Sequence, residues 1–147
     1  MTVADVVRFF ETFAPPGLAA EWDNVGLMLG DAARSVARLM TCLTISPAVV
    51  DEAVAERVDL VVAHHPLPFR PLKRITADTH EGRLLWRLAT AGVSVYSPHT
   101  AFDSAADGIN RLLADSLGLI DVEPLEPLPT AADPSVGVGR RGRLPKP

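Results

Sequence analysis

A single cysteine, Cys42, excludes an internal disulfide and a zinc site built from four thiolates. It lies in a strand-like segment and reads as a small buried hydrophobe rather than a nucleophile. Positive charge is not in excess either. A formal net charge of -4 gives no electrostatic footprint for nucleic acid, so no nucleic-acid partner is expected. No run of about 18 apolar residues is present, so no membrane span is expected. The first ten residues, Met1 to Phe10, lack the basic start and long apolar stretch of a secretory signal. The expectation is therefore a soluble, cytoplasmic protein. A His-Glu-x-x-His protease string is missing, and the contiguity of His64 and His65 disfavours the His-x-His type of metallohydrolase.

What is present is a chain of 147 residues, 48% apolar and 22% charged, the length of one domain with a real core. Thr2, followed three residues later by Asp5, predicts a capped first helix whose Val3, Val6, Val7 and Phe10 share a face, ended by Pro15-Pro16. Ala20 to Leu27 reads as an irregular loop rich in turn formers. Leu39 to Ile45 predicts a strand. Ser46 and Pro47 then open a helix with Val49, Val50, Ala53 and Val54 on its apolar side. Val58 to Ala63 predicts a second strand, continuously apolar as when both faces are covered. A helix follows from about Thr79 to Ala91, with Leu84, Leu85 and Leu88 inward and Gly92 as its stop. Val93 to Ser97 predicts a third strand. A last helix runs from about Asp107, its expected cap, to Leu117, with Ile109, Leu112 and Leu113 on one face.

Strand, helix, strand, helix, strand predicts an α/β fold, a mainly parallel sheet flanked by helices, over residues 1–120. From Asp121 onward lie six of the thirteen prolines, Pro147 among them, and no helical stripe. That segment, 121–147, reads as a proline-rich connector or edge segment. Within it, Gly137-Val-Gly-Arg-Arg-Gly142 matches the dinucleotide-binding string. It lacks the preceding strand and following helix that such a loop needs, so Arg140 and Arg141 read as an exposed turn.

Chemistry concentrates at two strand ends. The run Asp59-Leu-Val-Val-Ala-His-His-Pro66 closes on His64 and His65, and Val93-Ser-Val-Tyr-Ser-Pro-His-Thr-Ala-Phe-Asp103 closes on His99 and Asp103. The carboxyl edge of a parallel sheet is where ligand crevices form. Imidazole and carboxylate together suit divalent transition ions. Adjacent strand residues face opposite ways, so His64 and His65 can act together only where Pro66 breaks that alternation. They would then address two ions, or two sides of one. His99 and Asp103 are four apart and share a face if the segment coils. His80, at the start of a polar helix, reads as solvated.

At these residues the chain resembles the Nif-three-like dinuclear metal-centre family, whose members are often called GTP cyclohydrolase 1 type 2-like proteins. The likeness runs through Glu21-Trp-Asp-Asn-Val-Gly-Leu27, then Ala63-His-His-Pro66 with Phe69, Leu72 and Lys73, then His99-Thr-Ala-Phe-Asp103 with Gly108-Ile-Asn110. The resemblance implies a Nif-three-like fold and two divalent ions per complete site, such as zinc, iron or manganese. It makes His64, His65 and Asp103 ligands, with His99 a close neighbour that could pass protons as a catalytic group. It further implies ring-shaped homohexamers and a metal-dependent hydrolase that opens the ring of GTP, a small nucleotide. Family members are longer, and a histidine and a glutamate of their carboxyl-terminal half complete the site. No histidine follows Asp103 here. The expectation is thus a truncated, amino-terminal half of such a protein, with several metal positions left to water. A non-enzymatic metal-binding scaffold and an inactive remnant are the alternative readings.

Overall fold

A computed structural model of the chain describes residues 1–129 and 131–145; Lys146 and Pro147, counted above in the tail, lie outside the described residues. Helix α1, Val3–Phe13, begins in the expected capping box: the Thr2 hydroxyl accepts from the Asp5 backbone while the Asp5 carboxylate accepts from the Thr2 backbone at 2.7 Å. Four strands follow in one sheet: β1 (Gly26–Leu29), β2 (Leu39–Cys42), β3 (Leu60–Ala63) and β4 (Ser94–Ser97). Their spatial order is β1-β4-β3-β2, with β2, β3 and β4 parallel and β1 antiparallel to β4. Helices α2 (Pro47–Ala55) and α3 (His80–Thr90) form the two crossovers. Ser46 and Thr79 cap them through side-chain oxygens, as their sequence positions require.

Alternation along the buried strands divides the core into two layers. Val61, Ala63 and Val95 pack with Val50, Ala53, Leu84, Leu85 and Leu88 of α2 and α3. Leu60, Val62 and Tyr96 face the other way, onto Val6 and Phe10 of α1. Every residue of β3 and β4 is buried, which is why both read as unbroken apolar runs.

Tyr96, the only tyrosine, has its hydroxyl pKa pushed up to about 12 by burial and by the nearby Glu11 carboxylate. The folded value lies above the usual value near 10 of the unfolded chain. Its contribution to stability is therefore complete below pH 10 and lost as pH rises toward 12. Ultraviolet titration should show no phenolate near pH 10 in the folded protein; a normal phenolate step there would contradict the packing.

Several expectations need correction. Residues 26–29, partly assigned to a loop, form edge strand β1. It was hidden because it is only half-buried and carries glycines at φ +113° and +120° at and just past its ends. The first parallel strand ends at Cys42 rather than Ile45, and the second starts at Leu60 rather than Val58. Cys42 is half-buried against the core, and burial raises its thiol pKa. Asp107 does not cap the last helix, α5 (Ile109–Ser116). Gly108 takes that position, where any Cβ would fall on the Phe102 carbonyl.

Between β4 and α5 lies the short helix α4, His99–Ser104. The tail is not bare coil. β5 (Ile120–Glu123) pairs with β8 (Arg141–Arg143), and β6 (Glu126–Pro127) with β7 (Gly137–Val138). The glycine string therefore spans a β-turn-β, which cannot present a phosphate to a helix end. Arg140 is not exposed: its guanidinium donates to the carbonyls of Ala105, Ala106, Ser135, Gly137 and Gly139, tying the tail to the end of α4.

Candidate metal centre

The parallel ladder carries on past β3 and holds both histidines at the carboxyl edge. His64 and His65 donate their backbone N–H groups to the carbonyls of Cys42 and Leu43 at 3.0 and 2.9 Å. The Ser97 hydroxyl donates to the His64 carbonyl at 2.7 Å, linking the ends of β3 and β4. Here the strand alternation is lost, and the two neighbouring rings lie 5.1 Å apart, centroid to centroid. From the next strand end, α4 begins directly at His99, which brings its ring to 5.2 Å from His64 and 5.7 Å from His65. One helical turn later, Asp103 places a carboxylate oxygen 3.7 Å from His64 Nε2. His80 is exposed, as expected.

Each of the three imidazoles offers a ring nitrogen within 4.8 Å of those of the other two. Three nitrogens around one zinc-sized ion at about 2.0–2.1 Å lie about 3.3–3.6 Å apart. Nitrogens as far apart as 4.8 Å would have to close by roughly an ångström or more to share one ion.

Two of the rings are oriented by partners the sequence did not disclose. His99 Nδ1 meets the Asp23 carboxylate at 2.7 Å. The Asp23 side chain is 0% exposed and also accepts from the Thr100 hydroxyl, the Thr100 N–H at 3.1 Å and the Asn24 N–H at 2.7 Å. Burial alone would raise its pKa. The hydrogen bonds from Thr100, His99 and Asn24 outweigh it and hold the carboxyl below the usual range. An ionised Asp23 only accepts, so His99 carries a proton on Nδ1, and in the neutral ring Nε2 is left as a lone pair. His65 Nδ1 is likewise engaged, by the Thr44 hydroxyl at 2.7 Å. A carboxylate or hydroxyl behind an imidazole is the usual support of a metal-facing ring.

His64 is governed by burial, which lowers its pKa; His99 and His65 lower it further, and Asp103 opposes them. It is therefore a neutral imidazole, the form that binds metal. Its buried Nδ1 has no hydrogen-bond partner among the described residues, an unmet polar atom inside a cluster of donors. The donor set fits a divalent transition ion.

Asp23, Thr100 and Thr44 were not singled out in the sequence as site residues. The available signal was the Trp22-Asp23-Asn24 stretch, a polar turn flanked by apolar residues, which carried part of the family likeness.

The model of the family described as Duf34/NIF3 (NGG1p interacting factor 3) matches residues 1–147. The chain belongs to the NIF3 family. It is 40% identical over 129 residues to a Bacillus subtilis protein named GTP cyclohydrolase 1 type 2 homolog, covering 88% of this chain and 34% of that protein. A Clostridium acetobutylicum protein of the same name is 36% identical over 140 residues, covering 95% and 52%. The crystal structure of a Bacillus cereus protein related to NIF3 superposes with a TM-score of 0.81 at 35% identity, covering 87% of this chain and 35% of that one. The chain thus spans about a third to a half of the length of these NIF3 relatives.

Proposed function

We propose that this NIF3 chain holds divalent metal ions, two in a complete site, through His64, His65 and Asp103, and serves a metal-dependent hydrolase that opens the ring of a purine nucleotide such as GTP. The adjoining imidazoles of His64 and His65, with ring nitrogens within 4.8 Å of each other, beside the Asp103 carboxylate, carry the metal assignment. The name shared by the relatives, GTP cyclohydrolase 1 type 2 homolog, supports the reaction class. A divalent ion in such a site supplies Lewis acidity and activates water at neutral pH.

The remaining work falls to the chain's own side chains. Asp23 fixes the tautomer of His99, so Nε2 is free to accept a proton and later return it to the leaving nitrogen. Neutral His64 stays available as a ligand at physiological pH because burial disfavours its protonated form. Asp103 sets a negative charge against the developing cationic character of the cluster.

The test is formate release from GTP by the metal-loaded protein, with and without the additional length that its relatives carry. Release that disappears on chelation is the expected result. Absence of formate from both forms, while metal is bound, would remove the reaction and leave a metal-binding scaffold.

A further inference from the structure

Two aromatic side chains stand at the lip of the histidine cluster with much of their surface open. Trp22 is 67% exposed and Phe69 38%. Their rings lie 6.1 Å apart, and both meet His99 nearly edge-on, Trp22 at 6.4 Å and Phe69 at 6.3 Å. An exposed indole of this kind forgoes the burial that stabilises most tryptophans. It is nevertheless held in position. The neighbouring Asp23 is anchored to His99 and Thr100, and the Asn24 side-chain amide donates to the Pro68 carbonyl at 2.8 Å. The second bond ties the loop that carries Trp22 to the loop that carries Phe69. The pair is therefore pre-organised beside the ring nitrogens.

Directly after Phe69 come Arg70, Lys73 and Arg74, all exposed. None of them pairs with a carboxylate among the described residues. No acidic residue occurs from Pro66 to Ala77. An aromatic lip next to unpaired cations suits a ligand that combines a planar ring with an anionic tail.

We infer that Trp22 and Phe69 form a stacking platform for the heteroaromatic ring of a phosphorylated ligand, with Arg70, Lys73 and Arg74 receiving its phosphates. The inference rests on the proposed function only for the direction of the ring, toward His99; ring capture itself needs no metal. It makes Trp22 and Phe69 specificity-determining residues of the site.

The test uses intrinsic fluorescence in the Trp86→Phe protein, where Trp22 is the only indole left of two. Metal-free protein is titrated with GTP, with guanosine and with ribose 5-triphosphate, which lacks the base. GTP should quench Trp22 saturably, guanosine more weakly, and ribose 5-triphosphate not at all. Calorimetry in the Trp22→Ala protein should show GTP affinity reduced about fivefold or more, with Trp22→Phe recovering part of it. Divalent-ion uptake by Trp22→Ala should be unchanged. Equal quenching by ribose 5-triphosphate, unchanged GTP affinity in Trp22→Ala, or no saturable quenching in the millimolar range would overturn the platform. An emission shift that follows protein concentration and not nucleotide would assign Trp22 to a protein contact and overturn it equally. If the platform holds but metal uptake is absent, the proposed function fails alone; if metal and formate appear without Trp22 stacking, only the platform fails.

Discussion

Replacing His64 with alanine should weaken divalent-ion binding by at least about a hundredfold. Losing a residue that merely supports a ligand costs about 10- to 100-fold in affinity, and His64 is the imidazole that also lies against Asp103. It touches all the others: His65 and His99 at 5.1 and 5.2 Å between ring centres, and Asp103 at 3.7 Å. Its removal takes one corner from a nearly equilateral triangle of rings and leaves Asp103 without its imidazole partner. The variant should still fold. Deleting a largely buried ring destabilises, but the same change removes a buried nitrogen without a hydrogen-bond partner, which stabilises. These terms oppose, so metal-free stability should move by only about 1–2 kcal/mol. Metal at a hundred times its dissociation constant should raise wild-type stability by about 2.7 kcal/mol and that of the variant by about 0.4 kcal/mol or less. Calorimetric titration and thermal melts with and without zinc or manganese read both effects. Wild-type affinity in His64→Ala would sink the metal assignment.

That prediction draws on the part of the site that was legible in the sequence. His64 and His65 are adjacent, and the four residues before them form a strand buried on both faces, so a strong apolar run pointed straight at them. The step from β4 into α4 was legible for a related reason: Pro98 ends the strand, and the spacing of His99 and Asp103 matches one helical turn. Less visible was anything set by distant pairing. Asp23 and His99 are 76 residues apart and meet only because β1 lies against β4, an antiparallel edge pairing that the half-buried, glycine-flanked sequence of 26–29 concealed. Thr44 reaches His65 for the same reason, since β2 sits beside β3. Arg140 misled in the opposite sense. A cation in a glycine string suggests solvent or phosphate, whereas five backbone carbonyls enclose it. Local pattern reports burial along an element; it does not report which loop a carboxylate will face.

Asp23→Asn tests that long-range contact and should lower turnover of the proposed reaction by up to about 10⁴-fold, the scale seen when an Asp-to-Asn change leaves a catalytic histidine in the wrong tautomer. The geometry dictates the direction. The native carboxylate accepts four hydrogen bonds, from His99 Nδ1, from the Thr100 hydroxyl and N–H, and from the Asn24 N–H. An amide keeps one accepting oxygen and turns an NH₂ group toward groups that must donate. If that NH₂ faces His99, the ring shifts its proton to Nε2, and the lone pair assigned to proton transfer is lost. If it faces Thr100 instead, a backbone N–H in a buried setting loses its acceptor. Either arrangement should cost stability as well, about 1–3 kcal/mol for a buried hydrogen-bonding group left without its partner. Nitrogen-15 chemical shifts of the His99 ring separate the two arrangements, and denaturant midpoints measure the stability cost without reference to activity. Native-like turnover together with an unshifted His99 ring would mean that Asp23 does not set its tautomer, and proton transfer would then have to be assigned to another group.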